Sequence, residues 1–244
     1  MLILQMRPEN EVADSEFKAI LRVTGIDKSH VDRIKVDQLK EYQLDLNHYS
    51  AIIAGGSPFD ISKASDQKSK TQQQVESFFK GLFDEVVDGD FPFLGACSGS
   101  GLLGSYCGAT ISEKYCEPVG SVTVTKTEAA EKDPLLVGLP RQFTALVGHK
   151  EACDKLPPDA VLLLTSESCP VQMFRVKNNV YATQFHPEAD AEEFTLRINT
   201  YKDHGYFVPE KAMELIATLE NIKTPIAKKI LRQFAHRYHT DRLD

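Results

Sequence analysis

No run in the 244-residue sequence approaches the roughly 20 consecutive apolar positions that a membrane-crossing helix needs, so no membrane partner is expected. A cleavable leader is not expected either. The opening Met1-Leu2-Ile3-Leu4-Gln5-Met6-Arg7-Pro8 is shorter than the about 7–15 apolar residues of a signal peptide and reads as a first strand. Cysteine is scarce: five residues, an odd number, are too few for a disulfide framework in a chain this long. A reduced, cytoplasmic setting is therefore expected. No CxxC pair and no Cys/His cluster has zinc-ligand spacing. A basic surplus is missing too. With 28 Lys and Arg against 35 Asp and Glu the formal net charge is −7, which argues against a nucleic-acid partner, since phosphate neutralisation needs excess cation. Repeats, low-complexity stretches and Pro/Gly/Ser-rich linkers are absent, so 1–244 is expected to form one domain.

What is present is ordinary globular composition, 42% hydrophobic and 26% charged, arranged in alternating patterns. Leu2–Gln5, 31–36, 51–54 and 91–96 read as strands. Between them, 11–25 and 72–87 carry apolar stripes at helical spacing, the first ending at Gly25 as a C-cap. Alternating β and α units with apolar strands predict a doubly wound, mostly parallel sheet with helices on both faces, an α/β fold. From 119 to 184 strand candidates follow one another (121–125, 143–147, 161–165, 171–176, 180–184), which predicts a small antiparallel portion. Lys177-Asn178-Asn179 reads as a hairpin turn. The remainder reads as helices over 190–203, 209–221 and 224–239, a C-terminal helical extension over about 205–244, with Pro209 and Pro225 near helix starts.

Three segments carry chemistry. Phe91-Pro92-Phe93-Leu94-Gly95-Ala96-Cys97-Ser98-Gly99 is a hydrophobic strand running into Gly-x-Cys-x-Gly, the pattern of a nucleophile elbow with Cys in place of Ser. Such a turn strains the nucleophile, and glycines two residues to either side let neighbouring backbone pass without a Cβ clash. A cysteine before a helix gains from the free N–H groups there, which favour thiolate and can hold an oxyanion. A buried structural cysteine is the competing reading. The second segment, Val180–Glu188, ends in His-Pro-Glu, and residues i and i+2 of an extended segment project to one side. His186 and Glu188 are thus suited to be a base and the carboxylate that fixes its tautomer; a solvated loop is the bland alternative. The third, Ile52-Ile53-Ala54-Gly55-Gly56, puts glycines on the rim where open α/β sheets bind ligands, with an N–H suited to be a second oxyanion donor, or forms a plain turn. His236 and His239 read as a basic helix end rather than metal ligands.

Taken in order, Gly55-Gly56, Gly95–Gly99 and Gln184–Glu188 resemble the class I (triad-type) glutamine amidotransferases. The resemblance covers nearly the whole chain. It is nearest to stand-alone members similar to the glutaminase part of GMP synthase, on the opening strand, the segment Gly148–Pro158 and the helical extension. It implies a flavodoxin-like fold and hydrolysis of a glutamine side-chain amide through a cysteinyl thioester. Cys97 would be the nucleophile, His186 the base, Glu188 its partner, and the backbone N–H groups of Gly56 and Ser98 the oxyanion hole. His149 and Gly101 would border the substrate. Gly101 stands where many members carry a glutamine that helps bind substrate, so the substrate is glutamine or another γ-glutamyl compound. Neither metal nor organic cofactor is implied. The sequence contains no P-loop, so ammonia would go to a separate synthetase; a self-sufficient hydrolase of γ-glutamyl peptides or amides, or a non-catalytic regulator, are the other readings. The α/β-hydrolases fit less well, because their triad acid precedes the histidine. The Cys-elbow chaperone/peptidase family usually has His after the cysteine, where this chain has Ser98.

Overall fold

The apolar central strands have two faces to bury, and they lie within one nine-stranded sheet. A computed structural model describes residues 1–39, 44–204 and 207–239. In chain order its elements are β1 (Leu2–Gln5), α1 (Asn10–Thr24), β2 (Asp32–Lys35), β3 (Ile52–Ala54), α2 (Lys70–Asp88), β4 (Phe93–Ala96), α3 (Ser98–Tyr106), β5 (Ile111–Ser112), β6 (Glu117–Lys126), β7 (Gln142–His149), β8 (Ala152–Cys153), β9 (Val161–Thr165), β10 (Met173–Val176), β11 (Val180–Thr183), α4 (Ala191–Tyr201), α5 (Ala212–Leu219) and α6 (Pro225–Tyr238). The large sheet runs β2-β1-β3-β4-β11-β10-β9-β6-β7, and β5 pairs with β8 separately. From β2 through β11 neighbouring strands are parallel; from β11 to β7 they are antiparallel.

Strand periodicity assigns the two cores. Ile3, Ile53, Leu94 and Tyr181 share one row across the sheet. They face α1 and α6 with Phe17, Ile20, Ile230 and Phe234. The intervening residues Leu2, Leu4, Ile52, Phe93 and Ala182 face α2 and α3 with Val75, Phe79, Phe83 and Leu103. Each such buried large side chain contributes roughly 1.5–3 kcal/mol. Helix ends obey their local chemistry. Gly25 caps α1 at φ 73° with its N–H on Leu21 O, Ser69 Oγ accepts from Gln72 N at α2, and Asp190 with Glu193 forms a capping box at α4.

The doubly wound α/β architecture is as expected; the antiparallel part differs in form. It continues the main sheet, and β6 and β7 are longer than their most apolar stretches, because their ends run through exposed positions such as Pro118 and Gln142 that carry no apolar signal. The β5–β8 pair was invisible in sequence, since two-residue strands carry no period. The segment 209–221 is not one helix but a 3-10 turn, Pro209–Lys211, followed by α5. Of the expected extension, positions 205, 206 and 240–244 lie outside the described residues. Among the described residues no helix is long and apolar enough to cross a membrane.

The hairpin β10–β11 matters for the site. Lys177 takes φ 50° in its turn, and the Asp90 carboxylate accepts from the N–H groups of Asn178 and Asn179 at 3.0 and 2.9 Å. That anchor sits just before β4 and fixes the register Val180↔Phe93 through Thr183↔Ala96. The chain therefore leaves β4 and β11 side by side, at Cys97 and Gln184.

Candidate functional site

The elbow forms as the glycine pattern requires. Cys97 has φ 52° and ψ −104°, its N–H bonds to Thr183 O at 2.8 Å, and α3 begins at the next residue. A Cβ on Gly95 would meet the carbonyl carbon and oxygen of Gly99 at 2.6 and 2.7 Å, and one on Gly99 would meet Ala54 O at 3.1 Å. Both glycines are thus held by close backbone approach. Gly95→Ala is expected to lower stability by roughly 1–3 kcal/mol or more, because backbone cannot give way as a side chain does. Urea unfolding of the variant checks this; an unchanged midpoint would contradict the packing described.

The loop after β3 is tied to the elbow. Ser98 Oγ accepts from Ser57 N at 2.9 Å and donates to Ser57 O at 3.1 Å. Gly56 thereby lies against the catalytic histidine candidate: a Cβ there would meet His186 Cε1 at 3.1 Å and Arg7 Nη2 at 2.7 Å. Ser98, as first residue of α3, has an N–H with no intrahelical acceptor. The two backbone groups expected to hold an oxyanion thus come from segments clamped together beside Cys97.

His186, Glu188 and Cys97 are all buried, although 184–189 is not a strand. His186 N donates to Leu146 O at 2.9 Å, and the ring meets Phe194 edge-on at 5.4 Å between centroids. Nδ1 lies 2.8 Å from Glu188 Oε1. A carboxylate only accepts, so Nδ1 carries the proton and Nε2 is the ring atom left for the thiol. Arg197 Nη2 donates to the same Glu188 oxygen at 2.9 Å, and Arg197 Nη1 lies 3.0 Å from His186 Nδ1. With the proton on Nδ1, that second approach is a cation held against the ring rather than a hydrogen bond.

Burial pushes the Cys97 thiol up, yet the charge and hydrogen bond of His186, with His149 and Arg7 behind, bring it down to about 7. Burial likewise opposes charge on His186, and the Glu188 carboxylate overrides it, so the imidazole stays above its ordinary value despite Arg197. Glu188 is desolvated too, but His186 and Arg197 hold it far below the usual carboxylate range. Other thiols go the opposite way: burial raises half-buried Cys107 to about 11 and buried Cys153 and Cys169 to about 12. In a background where exposed Cys116 is replaced by serine, iodoacetamide should therefore alkylate Cys97 selectively, with a midpoint near pH 7. His186→Ala should move that midpoint upward, since burial is then less opposed. A wild-type midpoint at the ordinary thiol value of about 8.5 would contradict this electrostatic account.

Two clefts meet at Cys97. The first, about 350 Å³, is lined by Ser98, Gly101, Ile61, Ile111, His149 and Gln184 among others. Ile61 fills the space beside Gly101: a Cβ on Gly101 would meet its Cδ1 at 2.7 Å. The Ile61 segment is pinned by Glu151, whose carboxylate accepts from Ile61 N at 2.6 Å and from Ser62 N at 3.1 Å. His149 lines this cleft with both ring nitrogens turned to acceptors, Nε2 to Glu117 at 2.7 Å and Nδ1 to the Glu151 carbonyl at 3.1 Å. Gln172 Nε2 and the Ser168 hydroxyl also donate to Glu117. The second cleft, about 400 Å³, adjoins His186 on the other side of Cys97.

Sequence reasoning missed the charges behind the site. Arg7 Nε donates to Glu16 Oε2 at 2.8 Å, Gln5 Nε2 donates to Glu16 Oε1 at 3.1 Å, and Arg197 Nη2 approaches Glu16 Oε2 at 3.6 Å, all buried. The available signal was polarity within an apolar stripe: Glu16 interrupts Val12-Ala13-Phe17-Ile20 on α1, and Arg197 interrupts Phe194-Ile198-Tyr201 on α4. His236, at the C-terminal helix end, meets Thr24 O at 3.1 Å. Among the described residues no group of three or more His, Cys, Asp or Glu side chains is arranged for a metal ion.

The family profile "Glutamine amidotransferase class-I" matches residues 14–202, most of the chain. The chain belongs to the class-I glutamine amidotransferase family. Among relatives of this family, a subunit of the glutamine-hydrolysing GMP synthase of Thermoplasma volcanium is 30% identical over 59% of this chain and 64% of its own length. The corresponding GMP synthase subunit from Thermoplasma acidophilum is 27% identical over 72% of this chain and 78% of its own length. The match to the first of these spans less than two thirds of that relative. Fold likeness extends further: a glutamine amidotransferase of Thermotoga maritima superposes with a TM-score of 0.75 at 23% identity, covering 98% of this chain and 97% of the other. One from Methylobacillus flagellatus gives 0.69 at 16% identity, covering 99% and 96%.

Proposed function

We propose that this chain hydrolyses the side-chain amide of glutamine through a thioester on Cys97, releasing glutamate and ammonia. The observation that supports this most is the buried array in which Glu188 fixes the proton on His186 Nδ1 while the adjacent Cys97 thiol is brought down to about 7. His186 takes the thiol proton as Cys97 Sγ attacks the amide carbon. The oxyanion lies against the N–H groups of Gly56 and Ser98. His186 then returns the proton to the departing nitrogen, and ammonia leaves a γ-glutamyl thioester. Water, deprotonated by the same imidazole, releases glutamate and restores the thiol. The two Thermoplasma relatives are named as one subunit of a glutamine-hydrolysing synthase, which supports delivery of the ammonia to a separate synthetase.

The test is glutamate release from glutamine by the full chain, alone and with the synthetase subunit of a GMP synthase. Release that rises with the partner is the expected result. No release in either condition, together with no covalent labelling of Cys97 by diazo-oxo-norleucine, would overturn the proposal.

A further inference from the structure

The two glycines after β3 rest on a buried ion pair. A Cβ on Gly55 would collide with Glu16 Oε1 and meet Glu16 Cδ at 2.7 Å, and one on Gly56 would meet Arg7 Nη2 at 2.7 Å. The space that side chains would fill is thus taken by a carboxylate from α1 and a guanidinium from just beyond β1. Arg7 Nε meets Glu16 Oε2 at 2.8 Å, and the two residues are only 4% and 0% exposed. Arg and Glu are almost never buried this far unless paired. Here the pair is also the floor of the loop expected to hold the oxyanion.

The residues on either side of Gly56 are already pinned. Gly55 N–H donates to Leu4 O at 3.0 Å, and Ser57 is clamped to Ser98 through both its N–H and its carbonyl. Gly56 N–H has no acceptor among the described residues. A donor kept free between fixed neighbours is what a preorganised oxyanion site requires. Arg7 Nη2 and the His186 ring edge close the face of Gly56 that a side chain would have occupied, so the peptide cannot swing that way.

The pair is neutral as a whole, yet its charge is not evenly placed. Arg7 lines the cleft beside Cys97 and His186, whereas Glu16 lines neither cleft. Glu16 lies behind, where Gln5 Nε2 donates to it at 3.1 Å and Arg197 Nη2 approaches at 3.6 Å. The positive end of a fixed dipole therefore faces the sulfur. Away from water such a dipole acts on nearby charge more strongly than it would in solution. Negative charge forms there twice in the thioester route, on Sγ as the thiol ionises and on the amide oxygen as it is attacked.

We propose that Arg7 and Glu16 are positioning residues for amide cleavage: the pair holds Gly56 with its N–H free for the oxyanion and turns its cationic end to the sulfur. This rests on the thioester reading above. Arg7 keeps its proton throughout, so no proton or covalent step is added to that route.

The full chain is compared with Arg7→Met/Glu16→Gln and Arg7→Lys, all with exposed Cys116 replaced by serine. Glutamate release is measured across pH, kcat is normalised to the sites that diazo-oxo-norleucine labels, and alkylation of Cys97 by iodoacetamide is followed against pH. The charged and titrating groups facing Cys97 are His186, His149 and Arg7, with Glu188 and Arg197 behind the imidazole; those facing the pair are Gln5, Arg197 and Tyr201. Only Arg7 and Glu16 are altered. Removing both charges together leaves no new unpaired ion in the interior, so the double variant should fold, as its thermal transition will show. With the cation gone, thiolate is less favoured, and the alkylation midpoint should rise by about half a pH unit or more. At its plateau pH, kcat per labelled site should fall roughly ten- to a hundredfold while KM stays within about threefold. Arg7→Lys keeps the charge but has no planar fork to hold Glu16 and reach Gly56 together, so kcat should fall at least about fivefold with a smaller rise in the midpoint. A folded double variant with wild-type kcat and midpoint overturns the proposal and leaves the thioester reading standing. If the double variant does not fold, Arg7→Lys decides, and a kcat within about twofold of wild type overturns the proposal. No glutamate release by the wild-type chain, alone or with the synthetase subunit, together with no labelling of Cys97, removes the thioester reading and this inference with it.

Discussion

Cys97→Ala should lower glutamate release from glutamine by at least about ten-thousandfold, in line with removal of a nucleophile from a catalytic triad. The residual rate would come from binding and from the N–H groups at the elbow, which remain when the sulfur goes. The fold should survive, because alanine keeps the Cβ already accommodated at φ 52° and loses only one buried atom. The thermal transition is therefore expected within a few degrees of wild type, which separates lost chemistry from lost structure. Turnover within tenfold of wild type, with an unshifted transition, would remove Cys97 from the mechanism.

Glu188→Gln is the second large effect, expected at roughly a thousand- to ten-thousandfold in kcat. The amide can offer its N–H to His186 Nδ1 and thereby turn the proton onto Nε2, the atom the thiol needs free. It also removes the anion between two cations, since Arg197 Nη2 donates to Glu188 Oε1 at 2.9 Å and Arg197 Nη1 stands 3.0 Å from the ring. Arg197 itself tunes the site through that position. A cation close to a titrating imidazole favours its form with fewer protons, and Arg197 acts in that sense on His186. Its removal in Arg197→Met should therefore carry the His186 limb of the kcat/KM profile to higher pH. Arg197→Lys keeps the charge but lacks the planar fork, so it should shift that limb less while still weakening the hold on Glu188. A profile that falls in height with that limb unmoved would mean that Arg197 acts by packing alone.

Much of the site was legible because its signals are local. The elbow is a constraint among five adjacent residues: Gly95 and Gly99 must be small because the turn at Cys97 folds their backbones together. His186 and Glu188 meet because they are two residues apart on one short segment. The parallel half of the sheet was legible through apolar strands alternating with striped helices. The antiparallel half was read less well, since β6 and β7 extend through polar and exposed positions that are supported by pairing with neighbouring strands rather than by an apolar period.

Other features had no local signal strong enough to name them. Arg7, Glu16 and Arg197 come from three elements, and nothing in the surroundings of any one names the other two; their proximity is decided when α1 and α4 pack together. The space beside Gly101 is taken by Ile61, whose loop is held by Glu151 from a distant strand connection. The amino-acid sequence by itself determined which strands are buried, where the chain must turn sharply, and which side chain stands beside His186, because sterics and periodicity act over a few residues. Tertiary structure alone decided the charge that surrounds the thiol and the two clefts that share it. Desolvation and Coulomb forces act through space, and they depend on what the fold brings close rather than on order along the chain.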